Sequence, residues 1–385
     1  MTDIKPKILI LTHCFPSDPS DIPGNFLFDL CEDLVSRGAR VSVVTQTMSR
    51  KPDPEFIKRS GAEMIYFRWR GGGERFSNLK LSSIKNLMNV LSLLYNGRKT
   101  FKNQIRSSEY DLVISCWLVP AGIWSFSLLK NEHHAVWALG SDVSVYSKKF
   151  FHKQLLKLIL SKNGTVFTNS INHQKVIKNV LNSRSELLYT GRQLPPPKTI
   201  YKKSEKLMLL FIGRLEKVKG PDILFSALKM SGIKDFELKI IGDGPMMTEL
   251  SASSKSDGLE EKIFFLGERD SAVISDELTS ADYLVISSRS ESMPVVFWEA
   301  MQTSTPVLST DVGDIGYYCE KYNVGRVCHA DEKSLSELLL FADEFRPMRD
   351  SMASNTSKVR DLSSIRKSAE IIYKKAGNFK KERLK

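Results

Sequence analysis

A strand, a loop, a helix and a second strand follow one another closely in the second half of the chain, and this unit limits the fold more than any other feature. Residues 282–287 (DYLVIS) are a compact apolar run, typical of a strand that is buried on both faces. A loop and a predicted helix follow, and residues 306–310 (PVLST) predict the next strand. Such a βαβ unit indicates a parallel sheet, which binds its ligands beyond the carboxyl ends of its strands.

Two carboxylates lie in this unit, eight positions apart. Glu291 follows the predicted strand and Glu299 lies within the first two turns of the predicted helix, so both can face one crevice. Pro294 suits the first helical turn, and Ser292 or Ser290 is placed to cap it. The free N–H groups of the helix start are a natural seat for phosphate. Taken alone, such a pair of Glu residues is more typical of a solvated surface, so the neighbouring motifs must decide.

The same alternation of strands and helices extends over both halves of the chain. We predict strands at residues 7–11, 41–45, 63–67, 111–116, 134–139, 164–169 and 186–189, and then at 206–213, 236–242, 262–267, 282–287, 306–310 and 326–328. Three consecutive prolines at 195–197 predict an extended linker. The pattern predicts an α/β chain of two Rossmann-like, doubly wound domains that face a central cleft. We place the domains at residues 1–194 and 198–353, with a basic C-terminal helix at 354–385 that packs back on the first domain.

Positive charge is concentrated in the first half and the tail. Residues 1–197 hold 27 Lys+Arg against 15 Asp+Glu, whereas residues 198–353 carry a net charge of −7 and residues 354–385 one of +7. Basic clusters occur at residues 68–75, 98–106 and 148–162, and the last has apolar residues interleaved with lysines at helical spacing. That segment is equally consistent with a helix on an anionic membrane surface and with an ordinary packed helix that has a solvated lysine face. No nucleic-acid-binding motif accompanies the charge.

Two further features bear on the compartment. Five cysteines without a CxxC pair or a Cys/His cluster argue against disulfides and a zinc site, and for a reducing, cytoplasmic location. Residues 112–129 carry no charge, which raises the question of a membrane span. Pro120 and Gly122 interrupt the stretch, so we interpret it as a buried strand followed by a helix.

The second half also holds an ordered set of polar and glycine-containing loops. Gly213 and Arg214 follow the strand LMLLFIG, where a guanidinium can bind phosphate oxygens in pairs. Lys219 adds a second cation to the same loop. The turn GDGP and the segment FLG, which ends at Gly267, follow the next two strands. Singly, each motif is as typical of a surface turn as of a site.

Together, GRLEKVKG, GDGP, FLG, SRSESMPVVFWEAM and PVLSTDVG resemble the retaining GT-B glycosyltransferases of the family-4 type, also called glycosyl transferases group 1. The resemblance implies transfer of a hexose-type sugar from a nucleoside diphosphate to an acceptor, with no cofactor and no metal site. It implies catalytic roles for Arg214, Lys219 and Glu291: the two cations would hold the diphosphate, and Glu291 would contact hydroxyl groups of the transferred sugar. No Asp-x-Asp motif is present.

The remaining site residues are also implied by the resemblance. Glu299 would bind the ribose, the main chain at 293–296 the phosphates and the segment near Gly267 the base. The first domain would bind the acceptor and contribute the loop around Gly24 and the segment 140–142. The implied donor-binding residues are Gly24, Asp142, Gly213, Gly267, Met293, Pro294, Val295, Val296 and Glu299.

Two departures from the family pattern keep alternatives open. Ser292 stands where many members have Gly, and Leu139 where many have His. Our prediction is a transferase with a saccharide acceptor, lipid-linked as in cell-surface polysaccharide synthesis, and with peripheral contact to an anionic membrane. The alternatives are another GT-B enzyme, such as a soluble-acceptor transferase or a sugar-nucleotide epimerase, and a non-catalytic protein that binds nucleotide sugars or polyanions.

Overall fold

The computed structural model divides the chain into two compact units. One comprises residues 1–190 and 365–385, and the other residues 191–364. The structure describes residues 5–19, 21, 24–47, 51–72, 83–126, 133–140, 143, 150–161, 164–198, 204–362 and 364–383. Each unit is built on its own parallel sheet.

The first unit contains a parallel sheet of seven strands in the order β3-β2-β1-β4-β5-β6-β7. The strands are β1 (Lys7–Leu11), β2 (Arg40–Gln46), β3 (Glu63–Phe67), β4 (Leu112–Cys116), β5 (His134–Ala138), β6 (Thr165–Thr168) and β7 (Glu186–Leu187). The central strands β4 and β5 are buried along their whole length, because helices cover both faces of the sheet.

The helices between these strands lie on two sides of the sheet. They are α1 (Asn25–Ser36), α2 (Pro54–Arg59), α3 (Ile84–Ser107), α4 (Ile123–Ser125), α5 (Phe150–Ser161) and α6 (Ile171–Asn179). Side chains alternate along β1: Ile8 and Ile10 pack with α1, whereas Leu9 and Leu11 pack with α3. A helical turn at Leu118–Gly122 precedes α4.

The second unit contains a parallel sheet of six strands in the order β10-β9-β8-β11-β12-β13. The strands are β8 (Leu207–Ile212), β9 (Phe236–Ile241), β10 (Ile263–Gly267), β11 (Tyr283–Ile286), β12 (Val307–Thr310) and β13 (Gly325–Cys328). The helices are α7 (Pro221–Ser231), α8 (Met247–Ser256), α9 (Ser271–Ser280), α10 (Val295–Gln302), α11 (Ile315–Tyr322), α12 (Glu332–Glu344), α13 (Pro347–Asn355) and α14 (Ser357–Arg360).

The last helix, α15 (Ile365–Arg383), belongs to the first unit and packs on α1. Its buried residues Ile365, Ala369, Ile372 and Ala376 recur every three or four positions and join the core on that side of the sheet. Residues 354–364, which the sequence analysis assigns to the C-terminal helix, lie in the second unit instead. The predicted C-terminal helix at 354–385 is therefore wrong as a single element, because α13, α14 and α15 divide this stretch.

The uncharged stretch at residues 112–129 is the strand β4 followed by the helical turn and α4; residues 127–129 lie outside the described part. Across the described residues, no helix combines the length and the apolar character needed to cross a bilayer. All five cysteines are free thiols, and four of them are buried.

Candidate nucleotide-sugar site

The strand order of the second sheet places its topological switch point between β8 and β11. From β8 the chain continues to β9 and β10 on one side, whereas β11, β12 and β13 extend on the other. The crevice at the carboxyl ends of β8 and β11 is where sheets of this kind bind ligands. Arg214 and Lys219 follow β8, and Glu291 follows β11.

Arg289 ties the loop after β11 to the loop after β8. Its main-chain N–H donates to the Val218 carbonyl at 2.8 Å, and its Nη1 donates to the Lys217 carbonyl at 2.6 Å. Its guanidinium also binds both carboxylate oxygens of Asp222 at 2.8 Å. Burial raises the pKa of Asp222, but the Arg289 hydrogen bonds and charge outweigh it and lower that pKa overall.

A close backbone contact at Gly220 also connects the loop after β8 with the loop after β11. Gly220 has φ +65°, and a Cβ on it would lie 2.0 Å from the Ser287 carbonyl oxygen. Ser287 in turn donates its hydroxyl to the Lys219 carbonyl at 3.2 Å. The two loops therefore hold each other in register, and a side chain at residue 220 would force them apart.

We expect Gly220→Ala to cost clearly more stability than Gly232→Ala. Gly232 has nearly the same φ, +69°, but a Cβ there meets nothing within 4 Å. Left-handed strain alone costs Ala about 1 kcal/mol, and the clash at residue 220 should raise the loss to about 2–3 kcal/mol. Urea unfolding of the two variants measures the difference. Equal losses would show that the contact between the loops is unimportant.

The contacts between these two loops bring Lys219 and Glu291 together. Lys219 Nζ donates to Glu291 Oε1 at 2.5 Å, and the Ser288 hydroxyl donates to the same oxygen at 3.0 Å. The Glu291 side chain is only 13% exposed. Arg214 lies more openly and pairs with Glu216 at 3.4 Å. The Glu291 carboxylate is thus a held, largely buried group and not a solvated one.

Three glycines lie side by side at the carboxyl ends of β8, β9 and β10. Gly242 donates its N–H to the Gly267 carbonyl at 2.9 Å, and a Cβ on it would lie 2.0 Å from the Gly213 carbonyl. A Cβ on Gly213 would lie 3.9 Å from Lys219 Cδ, so the lysine stem crosses its bare face. Gly267 has φ +71° and open space beyond it. Of the three, only Gly267 has open space beyond it, since Gly242 is buried and the Phe211 ring lies over Gly213.

The start of α10 differs from its prediction. Pro294 is the N-cap residue and not a residue of the first turn, and no side chain caps the helix. Neither Ser290 nor Ser292 therefore acts as the cap. A Cβ on Gly313 would lie 2.1 Å from the Ser292 carbonyl, so the loop after β12 packs closely against the residues that precede α10. The N–H groups of Val295 and Val296 begin the helix without a capping side chain.

Glu299 lies in a buried ion pair that the sequence analysis did not find. Arg192 Nη1 donates to Glu299 Oε1 at 3.2 Å, and the Glu299 side chain is only 5% exposed. Burial raises the pKa of Glu299, and the charge and hydrogen bond of Arg192 act against that rise. The Gln302 side chain donates to the Arg192 carbonyl and accepts from the Leu194 N–H at 3.1 Å. Residues 192–194 thus run along α10.

Only some of the site residues predicted in the first unit lie in the described part of the structure. Gly24 has φ +75° and precedes α1; a Cβ on it would lie 2.6 Å from the Cys14 carbonyl, so only glycine fits. Asp142 lies outside the described residues. Leu139, one of the departures, is buried in the core beside α1 and α15. The expected roles of these residues stay predictions.

The second unit is similar to known glycosyltransferases. Residues 197–359 match the family model described as glycosyl transferases group 1. An uncharacterised glycosyltransferase of Methanocaldococcus jannaschii is 28% identical over 250 residues, which are 63% of this chain and 68% of that protein. The lipopolysaccharide 1,6-galactosyltransferase of Salmonella typhimurium is 24% identical over 62% of this chain and 64% of its own.

The fold matches along nearly the whole chain. The crystal structure of Anabaena HepE in complex with UDP-glucose superposes with a TM-score of 0.70 at 18% identity, over 96% of this chain and 98% of that one. The two-domain α/β architecture is therefore the GT-B fold. Residues 197–359 are therefore similar to glycosyl transferases group 1, and the structural match shows the fold of nearly the whole chain.

Proposed function

We propose that the protein is a retaining glycosyltransferase that moves a hexose-type sugar from a nucleoside diphosphate to a saccharide acceptor. The observation that carries the proposal is the Lys219–Glu291 pair at the switch point of the second sheet. A cation and a carboxylate held side by side suit the two opposite charges that develop when a sugar–diphosphate bond breaks. Arg214, in the same loop as Lys219, and the uncapped start of α10 would add positive potential.

The proposed chemistry assigns each charge a partner. The bond between the anomeric carbon and the diphosphate oxygen breaks, and its electron pair stays on the leaving diphosphate. Lys219, Arg214 and the first N–H groups of α10 stabilise that negative charge. Glu291 orients the sugar hydroxyls and favours the positively charged ring. The acceptor oxygen bonds to the same face of the ring and passes its proton to a phosphate oxygen, so the configuration is retained and no metal is required.

We further propose that the other donor contacts follow the family pattern. Glu299 would bind the ribose, the main chain at 293–296 the phosphates, and the glycine edge near Gly267 the base. The open space beyond Gly267 supports a base contact, because a flat ring can approach the main chain there closely. Gly24 and Asp142 would also take part in donor binding.

For the acceptor, we propose a lipid-linked saccharide that is reached from the cytoplasmic face of an anionic membrane. The net charge of +12 over residues 1–197 and the similarity to a lipopolysaccharide galactosyltransferase support this proposal. The five free thiols suit a reducing compartment.

A thermal-shift panel of nucleotides and nucleotide sugars is the first test. Ligand at about 100 times its Kd should stabilise the protein by about 2.7 kcal/mol, so the preferred donor should raise Tm by several degrees. We expect nucleoside diphosphates and their sugars to raise Tm more than the corresponding monophosphates. A panel in which no nucleotide raises Tm would contradict the donor site.

Product analysis with the selected labelled donor separates the remaining alternatives. Transfer, epimerisation and simple hydrolysis give different species, and the NMR coupling constant of the new anomeric proton reports retention or inversion. We expect transfer with retention, at an unchanged rate in the presence of a chelator. An epimerised nucleotide sugar would favour the epimerase, and bound donor without any product would favour the binding protein.

A further inference from the structure

The helix α3 has an apolar face that nothing in the described part of the first unit covers. Its buried side is formed by Asn89, Leu93, Gly97 and Phe101, spaced four residues apart and packed towards the sheet. Ile84, Leu87, Met88, Leu91 and Tyr95 are all exposed, with Ile84 at 81% and Tyr95 at 66%. The first half of the helix is therefore apolar on both sides, which is the pattern of a helix that is covered on both sides.

The same face of α3 becomes cationic in its second half. Starting from Ile84, helical steps of three and four residues lead through Met88, Leu91 and Tyr95 to Lys99, Lys102 and Arg106, all exposed. The helix contains five Lys and Arg residues and no Asp or Glu over its 24 residues. One stripe thus carries apolar side chains first and positive charges after them.

The helix α5 repeats this composition nearby. Phe150, Phe151, Leu155 and Leu158 are exposed, with Phe151 at 83%, and the helix carries two lysines and no carboxylate. Both helices pack against the same turn between β4 and β5. A Cβ on Gly97 of α3 would lie 2.3 Å from Trp124, and one on Gly122 would lie 3.2 Å from Ile159 of α5. The two helices therefore lie on the same side of the sheet, opposite α15.

We propose that these exposed side chains form a docking face for an anionic lipid bilayer. The docking face consists of Ile84, Leu87, Met88, Leu91, Tyr95, Phe150, Phe151, Leu155 and Leu158. It deepens the membrane contact in the proposed function by naming the surface. Apolar side chains enter the boundary between headgroups and acyl chains, and the lysines and arginines attract anionic headgroups.

Charge decides between a bilayer and a second copy of this chain. Two docking faces against each other would bring together two sets of six cations, four from α3 without Arg98 and two from α5, with no carboxylate on either helix to pair with them. An anionic bilayer satisfies both the apolar and the cationic part of the stripe. Arg98 is not part of this face, because it donates to the carbonyls of Ile123, Trp124 and Phe126.

Vesicle co-sedimentation tests the proposal with the full chain. The probes are vesicles of equal parts phosphatidylglycerol and phosphatidylcholine, and vesicles of phosphatidylcholine alone. We expect binding to the first, weakening as salt rises. The triple variant Ile84→Gln/Leu91→Gln/Tyr95→Gln should lower the partition coefficient by about 100-fold, because it removes three large inserted side chains.

The control replaces three exposed apolar residues of the second unit, Met230, Leu340 and Phe345, by Gln and should bind vesicles as the native chain does. We expect nucleotides to raise Tm equally in all variants. This measurement distinguishes a failure of the donor site from a failure of membrane docking. Equal vesicle binding by both triple variants would overturn the proposal. So would a native dimer that becomes monomeric in the α3 variant and ignores vesicles.

Discussion

We expect Glu291→Gln to lower kcat by about 100- to 1,000-fold, the size of effect seen when one preorganised charge-stabilising group is removed from an active site. Gln keeps the shape of the side chain but removes the negative charge. Lys219 Nζ, now 2.5 Å from Glu291 Oε1, loses its ionic partner, and the developing positive charge on the sugar ring loses the carboxylate beside it. The measurement is steady-state turnover with the donor that the thermal-shift panel selects.

A matched ion pair in the same unit provides the control. Glu277 accepts from Lys239 at 2.7 Å, and its side chain is 16% exposed, much as Glu291 is at 13%. Glu277→Gln removes an ion pair of the same kind away from the switch point. Both variants should lose about 1 kcal/mol of stability or less, since each pair is partly solvated. Similar turnover in the two variants would show that Glu291 has no part in the chemistry.

Arg192→Met should be the most destabilising of the substitutions considered, at about 3–5 kcal/mol. The change leaves the Glu299 carboxylate buried at 5% exposure without its cationic partner. Met retains most of the side-chain volume, so the loss reports the charge and not a cavity. Urea unfolding followed by far-UV circular dichroism measures the loss.

The pH dependence of that loss is a sharper criterion. Burial raises the pKa of Glu299 and Arg192 opposes this rise, so the pKa should rise further in the variant. When folding raises the pKa of a carboxyl group, the protonated group stabilises the folded protein. This stabilisation is complete below the ordinary pKa of 4.5 and is lost as pH rises through the pKa of the folded state. The variant should therefore be most destabilised at neutral and alkaline pH and should recover as pH falls towards 5.

The double variant Arg192→Met/Glu299→Gln separates charge from packing. Gln removes the buried charge, so much of the stability lost in the single variant should return, and its dependence on pH should disappear. A single variant whose loss is independent of pH, or a double variant as unstable as the single one, would mean that Arg192 acts through packing alone.

The local patterns along the chain were sufficient to place Arg214, Lys219 and Glu291 after the carboxyl ends of two strands. Arg214, Lys219 and Glu291 each follow an apolar run that the structure makes a strand, and the carboxyl ends of parallel strands share one edge of a sheet. The position of Pro294 was less well predicted. Propensity favours proline in the first turn of a helix, but here Pro294 is the N-cap residue, and the Ser292 carbonyl before it approaches Gly313 closely.

Long-range partners were not predictable. Arg192 is separated from Glu299 by 107 positions, and no local pattern marks it. The spacing of apolar residues along α3 indicates that two sides of the helix are apolar. Which of these sides packs on the sheet depends on the crossover from β3 to β4 and on the contact of Gly97 with Trp124. The break of the C-terminal segment into α13, α14 and α15 likewise follows from packing in two different units.

The sequence by itself determined the two-domain α/β architecture and the loops that carry the site, because strand and helix periods and turn residues act over a few positions. The tertiary structure alone decided which charges meet. It paired Lys219 with Glu291 and Arg192 with Glu299, and it left one face of α3 exposed. Burial and charge pairing arise between segments far apart in the chain, and only the folded packing sets their distances.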